Sequence, residues 1–398
     1  MNSHAFDTQS LGYCPFMPVF GAPQVMFARG SGTELWDTDG KRYLDFLCGL
    51  AVTSLGHAHP VVTEAISRQA ATLLHVSNLF ANPEALAAAV RVDTLLLEAT
   101  GCEGQVFFCN SGAEANEAAL KLARKFGGRG RHSVISAYGS FHGRTLASLA
   151  ATGQPAKHEP FMPMPDGFRH VAFNDIADLE AAIDPSVSAV LLEPVQGEGG
   201  VLPADPQYLR DVRALCDERG LLLIMDEVQT GFGRTGQWFG FQHAGVVPDV
   251  VTMAKAMGNG FPVGAVWARR EIAGVFRPGD HGSTYSGTAL ATAVVSAVID
   301  EMRRIDAPAL ARARGAELTA ALRAVPGVAS VRGEGLLLAA ELAEGIDAKV
   351  VYTRLLERGV VTNAVTATAL RIAPPLTVTS EQISEAVAAL SAVLQELT

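Results

Sequence analysis

Between residues 105 and 270 the sequence alternates short apolar runs with amphipathic or glycine-rich stretches, and this alternation constrains the fold most strongly. The runs are apolar throughout rather than at every second position, as expected for strands of a parallel sheet covered by helices on both faces. Helical patterns at 113–126 and 206–219 stand between them, which indicates an α/β domain. The runs are Gln105–Cys109, His132–Ser136, Ala189–Glu193, Leu221–Asp226, Val250–Ala254 and Gly264–Ala268.

The sequence on either side of this region has a different pattern. A hairpin is predicted at 32–46 around the Asp39–Gly40 turn signal, followed by a helix at 61–74. Towards the C-terminus, helical patterns at 289–304, 307–324, 348–358 and after Ser380 alternate with strand-like runs at 335–342 and 370–373. We therefore predict a large domain, residues 61–285, inserted between two parts of a smaller α+β domain, residues 1–60 and 286–398.

Composition excludes several classes of function. A net charge of −10 over 398 residues argues against a nucleic-acid partner, which requires a basic surface. No apolar run is long enough to cross a membrane, and Met1–Ser10 lacks the pattern of a secretory signal, so we expect a cytoplasmic protein.

The scattered cysteines form no C-x-x-C pair and indicate reduced thiols. They are Cys14, Cys48, Cys102, Cys109 and Cys216. The His57-Ala58-His59 pair has no third ligand at useful spacing, so we predict a turn and no metal site.

Ligands of open parallel sheets bind beyond the carboxyl ends of the strands, so the residues that follow each run carry most information. Asn110–Glu117 lies between a strand and a helix, where backbone N–H groups and the helix dipole form an anion site and Gly112 permits close approach. The alternative is a capping box that joins Ser111 to Glu114.

Two charged residues follow buried strands. Asp226 requires a partner, which could be an arginine, a metal or a protonated ring nitrogen of a cofactor. Glu227 points the opposite way along a strand, so the two carboxylates form no dyad. Among the lysines only Lys255 closes an apolar strand, ahead of Gly258-Asn259-Gly260. A desolvated lysine can form a Schiff base, although an anchoring salt bridge explains the position equally well.

Phe141 and Arg144 follow another predicted strand. Phe141 could stack on a flat cofactor and Arg144 could bind a carboxylate, with core packing and a surface ion pair as the ordinary alternatives. A phosphate cradle, a stacking aromatic ring, a buried aspartate and a buried lysine together describe a pyridoxal phosphate site.

Gly231–Gly236 matches the dinucleotide pattern G-x-G-x-x-G, which would suggest a nicotinamide-dependent oxidoreductase. Such a site requires a helix to begin there, whereas the following residues contain glycine, proline and several aromatics. We therefore predict a tight loop here, and a nicotinamide-dependent oxidoreductase is only a remote alternative.

Seven blocks of sequence resemble the class III, fold-type-I aminotransferases, and among them most closely the acetylornithine aminotransferases. The similarity extends from Gly30 to Pro375. The blocks are Asn110–Glu117, Phe141–Leu146, Glu193–Val201, Asp226–Gly236, Ala254–Ala265, His281–Thr284 and Leu370–Leu376. The resemblance implies a pyridoxal phosphate enzyme of fold type I and a homodimer with shared active sites.

The resemblance also implies a role for individual residues. Lys255 is similar to the Schiff-base lysine, and Asp226 to the residue that pairs with the pyridine nitrogen. The implied cofactor-binding residues are Ser111, Gly112, Ala113, Phe141, Asp226, Glu227, Val228, Gln229, Lys255 and Thr284, the last reaching the neighbouring subunit's phosphate. The implied substrate-binding residues are Arg144, Ser283 and Arg371, together with Glu198, which masks Arg371 when the substrate end is not acidic.

The activity implied is transfer of the δ-amino group of N2-acetylornithine to 2-oxoglutarate in arginine biosynthesis, with succinyl-diaminopimelate as a second donor. Ornithine or 4-aminobutyrate as the donor is the alternative. Leu50 and Phe20 stand where relatives carry tyrosine, and Leu50 favours an uncharged acylamino end. Further departures occur at Tyr285–Thr288 and at Thr362–Thr368.

Overall fold

The computed structural model describes residues 16–21 and 23–397, and its centre is a seven-stranded sheet. All strands are parallel except Gly264–Arg269, which is antiparallel to both neighbours. In spatial order the strands are Gly104–Cys109, Gly264–Arg269, Val250–Met253, Leu222–Asp226, Val187–Leu192, Ser133–Ala137 and Phe168–Val171. The α/β prediction is confirmed, with two corrections. The apolar run at 264–268 does not reveal its direction, and the edge strand at 168–171 is too polar and too exposed to be recognised.

The strands form where apolar residues can be covered on both faces. Every residue of Val187–Leu192 and of Leu222–Asp226 is buried, and Trp267 is fully enclosed. A strand buried on both sides needs no polar alternation, which explains the continuous apolar runs.

Helices cover the sheet and begin at side-chain caps. Ser111 caps Gly112–Gly127 through Glu114 N, and Asp205 caps Pro206–Arg219 through Gln207 N. The helix Pro83–Thr100 was not predicted, although its cap Asn82, the following proline and the left-handed Gly101 are recognisable signals. The other helices are Pro60–Ala70, Leu146–Ala151, Pro155–His158, Ile176–Ala182, Arg270–Ala273, Ala289–Arg304, Ala307–Arg323, Ala348–Glu357 and Ser380–Leu397.

Two smaller sheets lie outside the central one, and the N-terminal and C-terminal parts of the chain meet in the first of them. The predicted hairpin is present, and its strand Arg42–Asp45 pairs in parallel with Val360–Val361. The first sheet consists of Phe27–Ser31, Glu34–Asp37, Arg42–Asp45 and Val360–Val361, and the second of Val328–Glu334, Leu337–Leu342, Ala369–Ile372 and Asn363–Ala364. A short ribbon joins Val195–Gln196 to Leu202–Pro203. The division into domains at residues 60 and 285 stays a prediction.

The Gly231–Gly236 segment is a series of turns in which no helix begins, as predicted for a tight loop. Its Arg234 is fully buried and donates to the carbonyls of Leu336 (3.1 Å) and Pro374 (2.5 Å) and to Ser54 Oγ (2.8 Å). The arginine thus fastens three distant segments together, and this observation removes the dinucleotide interpretation.

A left-handed turn follows the hairpin. Cys48, Gly49, Leu50 and Ala51 all have positive φ, between 54° and 71°. Non-glycine residues reach this region only at a cost in conformational energy, so surrounding contacts must hold the turn in place.

Within the described ranges, none of the helices combines the length and the apolar character needed to cross a membrane.

Candidate active site

The carboxyl ends of the central strands open into a cavity of about 390 Å³, which we call the central cavity. Ten of the predicted site residues line it, together with Asn116, His142 and Glu193, for which no role was predicted. The ten are Ser111, Gly112, Ala113, Phe141, Arg144, Glu198, Asp226, Val228, Gln229 and Lys255.

One end of the central cavity is the start of the helix Gly112–Gly127. Ser111 Oγ accepts from Glu114 N at 3.2 Å, and the Glu114 carboxylate accepts from Asn110 N at 2.8 Å. The capping interaction predicted for Ser111 and Glu114 is therefore present, and the anion site stays a prediction. A Cβ at Gly112 would lie 2.8 Å from the Val228 side chain, so the close approach requires glycine. The first N–H groups of the helix have no helical acceptor and carry a partial positive charge.

Asp226 is held by three donors at the end of its strand. Its Oδ2 lies 2.8 Å from Asn116 Nδ2 and 2.8 Å from His142 Nδ1, and its Oδ1 accepts from Val228 N at 3.0 Å. Thr252 Oγ1 donates to Asn116 Oδ1 at 2.8 Å and so orients the amide. The carboxylate is buried, and no arginine or lysine of the described residues forms an ion pair with it. It can therefore pair with a cationic group in the central cavity.

Lys255 begins a 3-10 turn directly after the strand Val250–Met253. It is half-buried and has a φ of 48°, a strained value for a side chain of this size. Burial lowers the pKa of its ammonium to about 8, and repulsion from Arg371 contributes to this decrease. A fraction of the amine is therefore neutral and nucleophilic near pH 7.

Arg371 is only 1% exposed and forms an ion pair with Glu198 at 2.5 Å. It also donates to Asn363 Oδ1 at 3.1 Å and to Gln229 Oε1 at 3.3 Å. Burial opposes ionisation of Glu198, but the positive charge of Arg371, aided by Lys255, lowers the net pKa of its carboxyl. Arg371 itself does not line the central cavity, whereas its partners Glu198 and Gln229 do.

Arg144 and Phe141 form a more open side of the central cavity. The Arg144 guanidinium is exposed and lies 5.7 Å from the Phe141 ring centroid. Lys157 approaches the same ring at 5.9 Å. Burial and repulsion from Arg144 lower the pKa of Lys157. This side of the central cavity is therefore electropositive.

Besides Arg371, three predicted site residues do not line the central cavity. The Glu227 carboxylate is buried and accepts from Thr230 Oγ1 and from the backbone N–H groups of Gly240 and Phe241. Burial raises its pKa to about 7. Ser283 Oγ accepts from Asn110 Nδ2 at 3.1 Å, at the edge of the site, and Thr284 is exposed.

The positions that depart from the family pattern lie on the surface or behind the wall. Leu50 is 38% exposed on the left-handed turn, next but one to the cavity residue Val52. Phe20 and Tyr285 are exposed, whereas Thr362 is buried.

Comparisons with known proteins agree with this geometry. The family model for aminotransferase class-III matches residues 19–394. The chain belongs to the class III aminotransferases.

Relatives within this family carry related names. Acetylornithine aminotransferase from Corynebacterium efficiens is 48% identical over 95% of this chain and 94% of its own. The crystal structure of N-acetylornithine aminotransferase from Stenotrophomonas maltophilia superposes with a TM-score of 0.82 at 33% identity, covering 94% and 97% of the two chains. Ornithine aminotransferase from Toxoplasma gondii, a structure described with partial occupancy of pyridoxal phosphate, gives 0.88 at 34% identity, covering 94% and 92%.

Class III aminotransferases depend on pyridoxal phosphate, and the residues of the central cavity fit that cofactor. A helix N-terminus with free N–H groups suits a phosphate, and Asp226 suits a protonated ring nitrogen. The half-buried amine of Lys255 suits an aldehyde. These three groups surround one cavity whose side wall carries the aromatic ring of Phe141.

Proposed function

We propose that this class III aminotransferase transfers the δ-amino group of N2-acetylornithine to 2-oxoglutarate, forming N-acetylglutamate 5-semialdehyde and glutamate in arginine biosynthesis. The observation that carries the proposal is the Arg371–Glu198 ion pair beside a cavity that also presents Arg144. The names and full-length similarity of the curated relatives support the same donor.

Pyridoxal phosphate, when bound, supplies an electron-accepting ring that acidifies the hydrogen on the carbon bearing the amino group. Ser111, Gly112 and Ala113 would hold its phosphate, Asp226 would hold its ring nitrogen, and Phe141 would cover the ring. Val228 and Gln229 complete the wall around it. Lys255 would bind it and carry the proton at Nζ, because the lowered pKa of that amine allows both uptake and release near neutral pH.

The two arginines explain how one site accepts two unlike substrates. 2-Oxoglutarate has two carboxylates, and Arg144 and Arg371 provide one cation for each. Acetylornithine has one carboxylate, which Arg144 binds with help from Ser283, and no carboxylate on the carbon that bears the transferred amine, so Arg371 has no partner on this substrate. An unpaired buried cation is costly, and Glu198 offsets that cost by closing onto Arg371.

The neutral surface of Leu50 agrees with an acylated donor rather than free ornithine. Its side chain is aliphatic, 38% exposed and two residues before the cavity residue Val52, and it offers no hydrogen bond to an ammonium group. A polar side chain at this position would instead stabilise such a group.

We also propose that the protein is a homodimer with shared active sites. The outer face of the helix Pro83–Thr100 exposes Leu86 by 70% and Val90 by 58%, and Phe80 beside it is 70% exposed. Large apolar side chains that are exposed side by side favour a protein interface at this face. Asn78 Nδ2 donates to the carbonyl of Ser283 at 3.0 Å, so Thr284 lies next to this face, where it can reach the phosphate of the partner's cofactor.

A cytoplasmic location remains part of the proposal. The cysteines of the described ranges are all free, as thiols of a reducing compartment are. They are Cys48, Cys102, Cys109 and Cys216, while Cys14 lies outside the described residues.

The test is a visible-absorbance titration of the purified holoenzyme with N2-acetylornithine, ornithine and 4-aminobutyrate in parallel. We expect acetylornithine to bleach the cofactor band at the lowest concentration, and 2-oxoglutarate to restore it. If ornithine or 4-aminobutyrate bleaches the band first, the cofactor assignment stands and the donor assignment is wrong.

A further inference from the structure

Glu193 is a carboxyl group of the central cavity for which the proposed reaction has no use. It directly follows the buried strand Val187–Leu192 and is 6% exposed. Its Oε2 accepts a hydrogen bond from the backbone N–H of Phe141 at 3.0 Å. This bond joins the end of one central strand to the loop that carries the predicted stacking ring, 52 residues earlier in the chain.

The surroundings of Glu193 disfavour a negative charge. Within residues 16–21 and 23–397, no lysine, arginine or histidine forms an ion pair with Glu193. Asp226 in the same cavity is instead hydrogen-bonded to Asn116, His142 and the backbone N–H of Val228. Burial, and then repulsion from Asp226, raise the pKa of Glu193 well above its ordinary value, although the backbone N–H groups of Phe141 and Gly197 and the charge of Lys255 oppose the change. Two carboxylates in one buried cavity ionise together only with difficulty, and Asp226, with its three hydrogen-bond partners, is the better stabilised anion of the two.

We propose that Glu193 is a positioning residue which, as an uncharged carboxylic acid, anchors the Phe141 loop and thereby sets the aromatic ring against the cofactor. An uncharged anchor is suited to this place because a second negative charge would compete with Asp226 for the cationic ring nitrogen. The inference rests on the proposed use of the central cavity for pyridoxal phosphate, but it does not depend on which amine is the donor.

The side chain of glutamine tests both parts of the proposal. Glu193→Gln keeps an oxygen for the Phe141 N–H and carries no charge at any pH, whereas Glu193→Ala removes the acceptor. Glu193→Asp keeps the acid but draws it back by one methylene, which breaks the 3.0 Å contact. Glu218→Ala, which removes an exposed carboxyl on the helix Pro206–Arg219, serves as the matched control.

The experiment measures the dissociation constant of pyridoxal phosphate for the apoprotein and the circular dichroism of the bound cofactor between pH 6 and 9. We expect the glutamine variant to bind within about twofold of wild type at every pH, and the alanine and aspartate variants to bind about tenfold more weakly with an altered dichroism band. If the glutamine variant binds pyridoxal phosphate as weakly as the alanine variant, the negative charge is required and the proposal is wrong. If the alanine variant binds as tightly as wild type, the hydrogen bond to Phe141 is not needed and the proposal is also wrong. Should the alanine variant fail to fold, the aspartate variant gives the same decision. Either result is obtained without an amino donor, so a failed donor assignment cannot be mistaken for a failure here.

Discussion

Arg371 is nearly inaccessible to solvent, and its charge is compensated mainly by one carboxylate, that of Glu198, whose own side chain is 30% exposed. Asn363 and Gln229 offer neutral acceptors at 3.1 and 3.3 Å, so Glu198 is the only counter-ion in contact within the described part of the chain. Desolvated ion pairs lose much of their stability when one member is removed. In the proposed function, a substrate carboxylate takes the place of Glu198 in this ion pair, so the cation is not left bare.

Replacing Glu198 by alanine should change donor selection. Arg371 then has no internal counter-ion, so donors with a second carboxylate, such as glutamate, gain relative to acetylornithine. We expect the ratio of kcat/KM for glutamate to that for acetylornithine to rise by about tenfold or more. Steady-state kinetics with both donors measure it, and Glu317→Ala, which removes the half-exposed partner of Arg314, should leave the ratio unchanged. An unchanged ratio in the Glu198 variant itself would remove the masking argument.

The lowered pKa of Lys255 predicts how cofactor capture depends on pH. The neutral amine is the reactive form, and with a pKa of about 8 roughly a tenth of it is neutral at pH 7. The rate at which the apoprotein captures pyridoxal phosphate should rise with pH and level off near 8 rather than 10.5, the ordinary lysine value. Stopped-flow absorbance measures this rate. Lys255→Ala should show no covalent capture and no turnover, while Lys349→Ala, on an exposed helix face, should behave as wild type. A plateau near 10.5 would mean that burial does not act on this amine.

At the residue level, the sequence was most informative where a charge directly follows an apolar run, as for Asp226 and Lys255. Their placement at strand ends needed no knowledge of other segments. Asn116 and His142 were not assigned roles because their common partner, Asp226, lies 110 and 84 residues further along the chain. A polar residue on the buried face of a predicted helix, as Asn116 is, was the signal available.

At the element level, the left-handed turn Cys48–Ala51 connects the N-terminal hairpin to the cavity wall at Val52. The carboxylate of Asp45 holds the turn by accepting from Leu47 N at 3.0 Å and from Cys48 N at 2.8 Å. Four positive φ values in succession cannot be read from a sequence with only one glycine there, so this element could not be predicted.

Removing the Asp45 carboxylate should therefore affect both stability and substrate binding. Asp45→Ala leaves two backbone N–H groups without acceptors, which costs about 2 kcal/mol or more of the free energy of unfolding. The KM for acetylornithine should rise because Val52 is no longer held. Urea unfolding and steady-state kinetics provide the two readouts. Asp39→Ala, at the exposed hairpin turn, should alter neither the free energy of unfolding nor the KM. If the Asp45 variant behaves like this control, the left-handed turn is held by other contacts.

The directions of strands show where pattern-based prediction of elements ends. Leu222–Asp226 and Gly264–Arg269 are equally apolar, yet one is parallel and the other antiparallel to its neighbours. Both are buried on both faces, so periodicity is the same for either direction. The direction of a strand is set by the connection that leads into it, and the path of that connection depends on the packing of the whole chain.

At the scale of the whole molecule, the exposed apolar face of the helix Pro83–Thr100 predicts a dimer that a single charge can weaken. Val90→Asp places a carboxylate at the centre of this face, and we expect monomers at micromolar concentration, loss of activity and weaker cofactor binding. Light scattering after size-exclusion chromatography measures the mass. Val350→Asp, at a valine that is 43% exposed on the distant helix Ala348–Glu357, should remain a dimer. An active Val90→Asp monomer would contradict the proposal of shared sites.

The pairing of the hairpin strand Arg42–Asp45 with Val360–Val361 has a consequence for biosynthesis. Beside this pair, Lys41 Nζ donates to the carbonyl of Glu357 at 2.6 Å, across 316 residues of chain. A ribosome that adds 5–20 residues per second takes roughly 15 to 60 seconds to deliver that partner after the hairpin has emerged. Throughout that interval the edge of the hairpin has no strand beside it, and Arg371 has not yet been made. Ser111, Gly112 and Ala113, which we propose to hold a phosphate, are therefore synthesised long before Arg371, one of the two cations proposed to select the substrate.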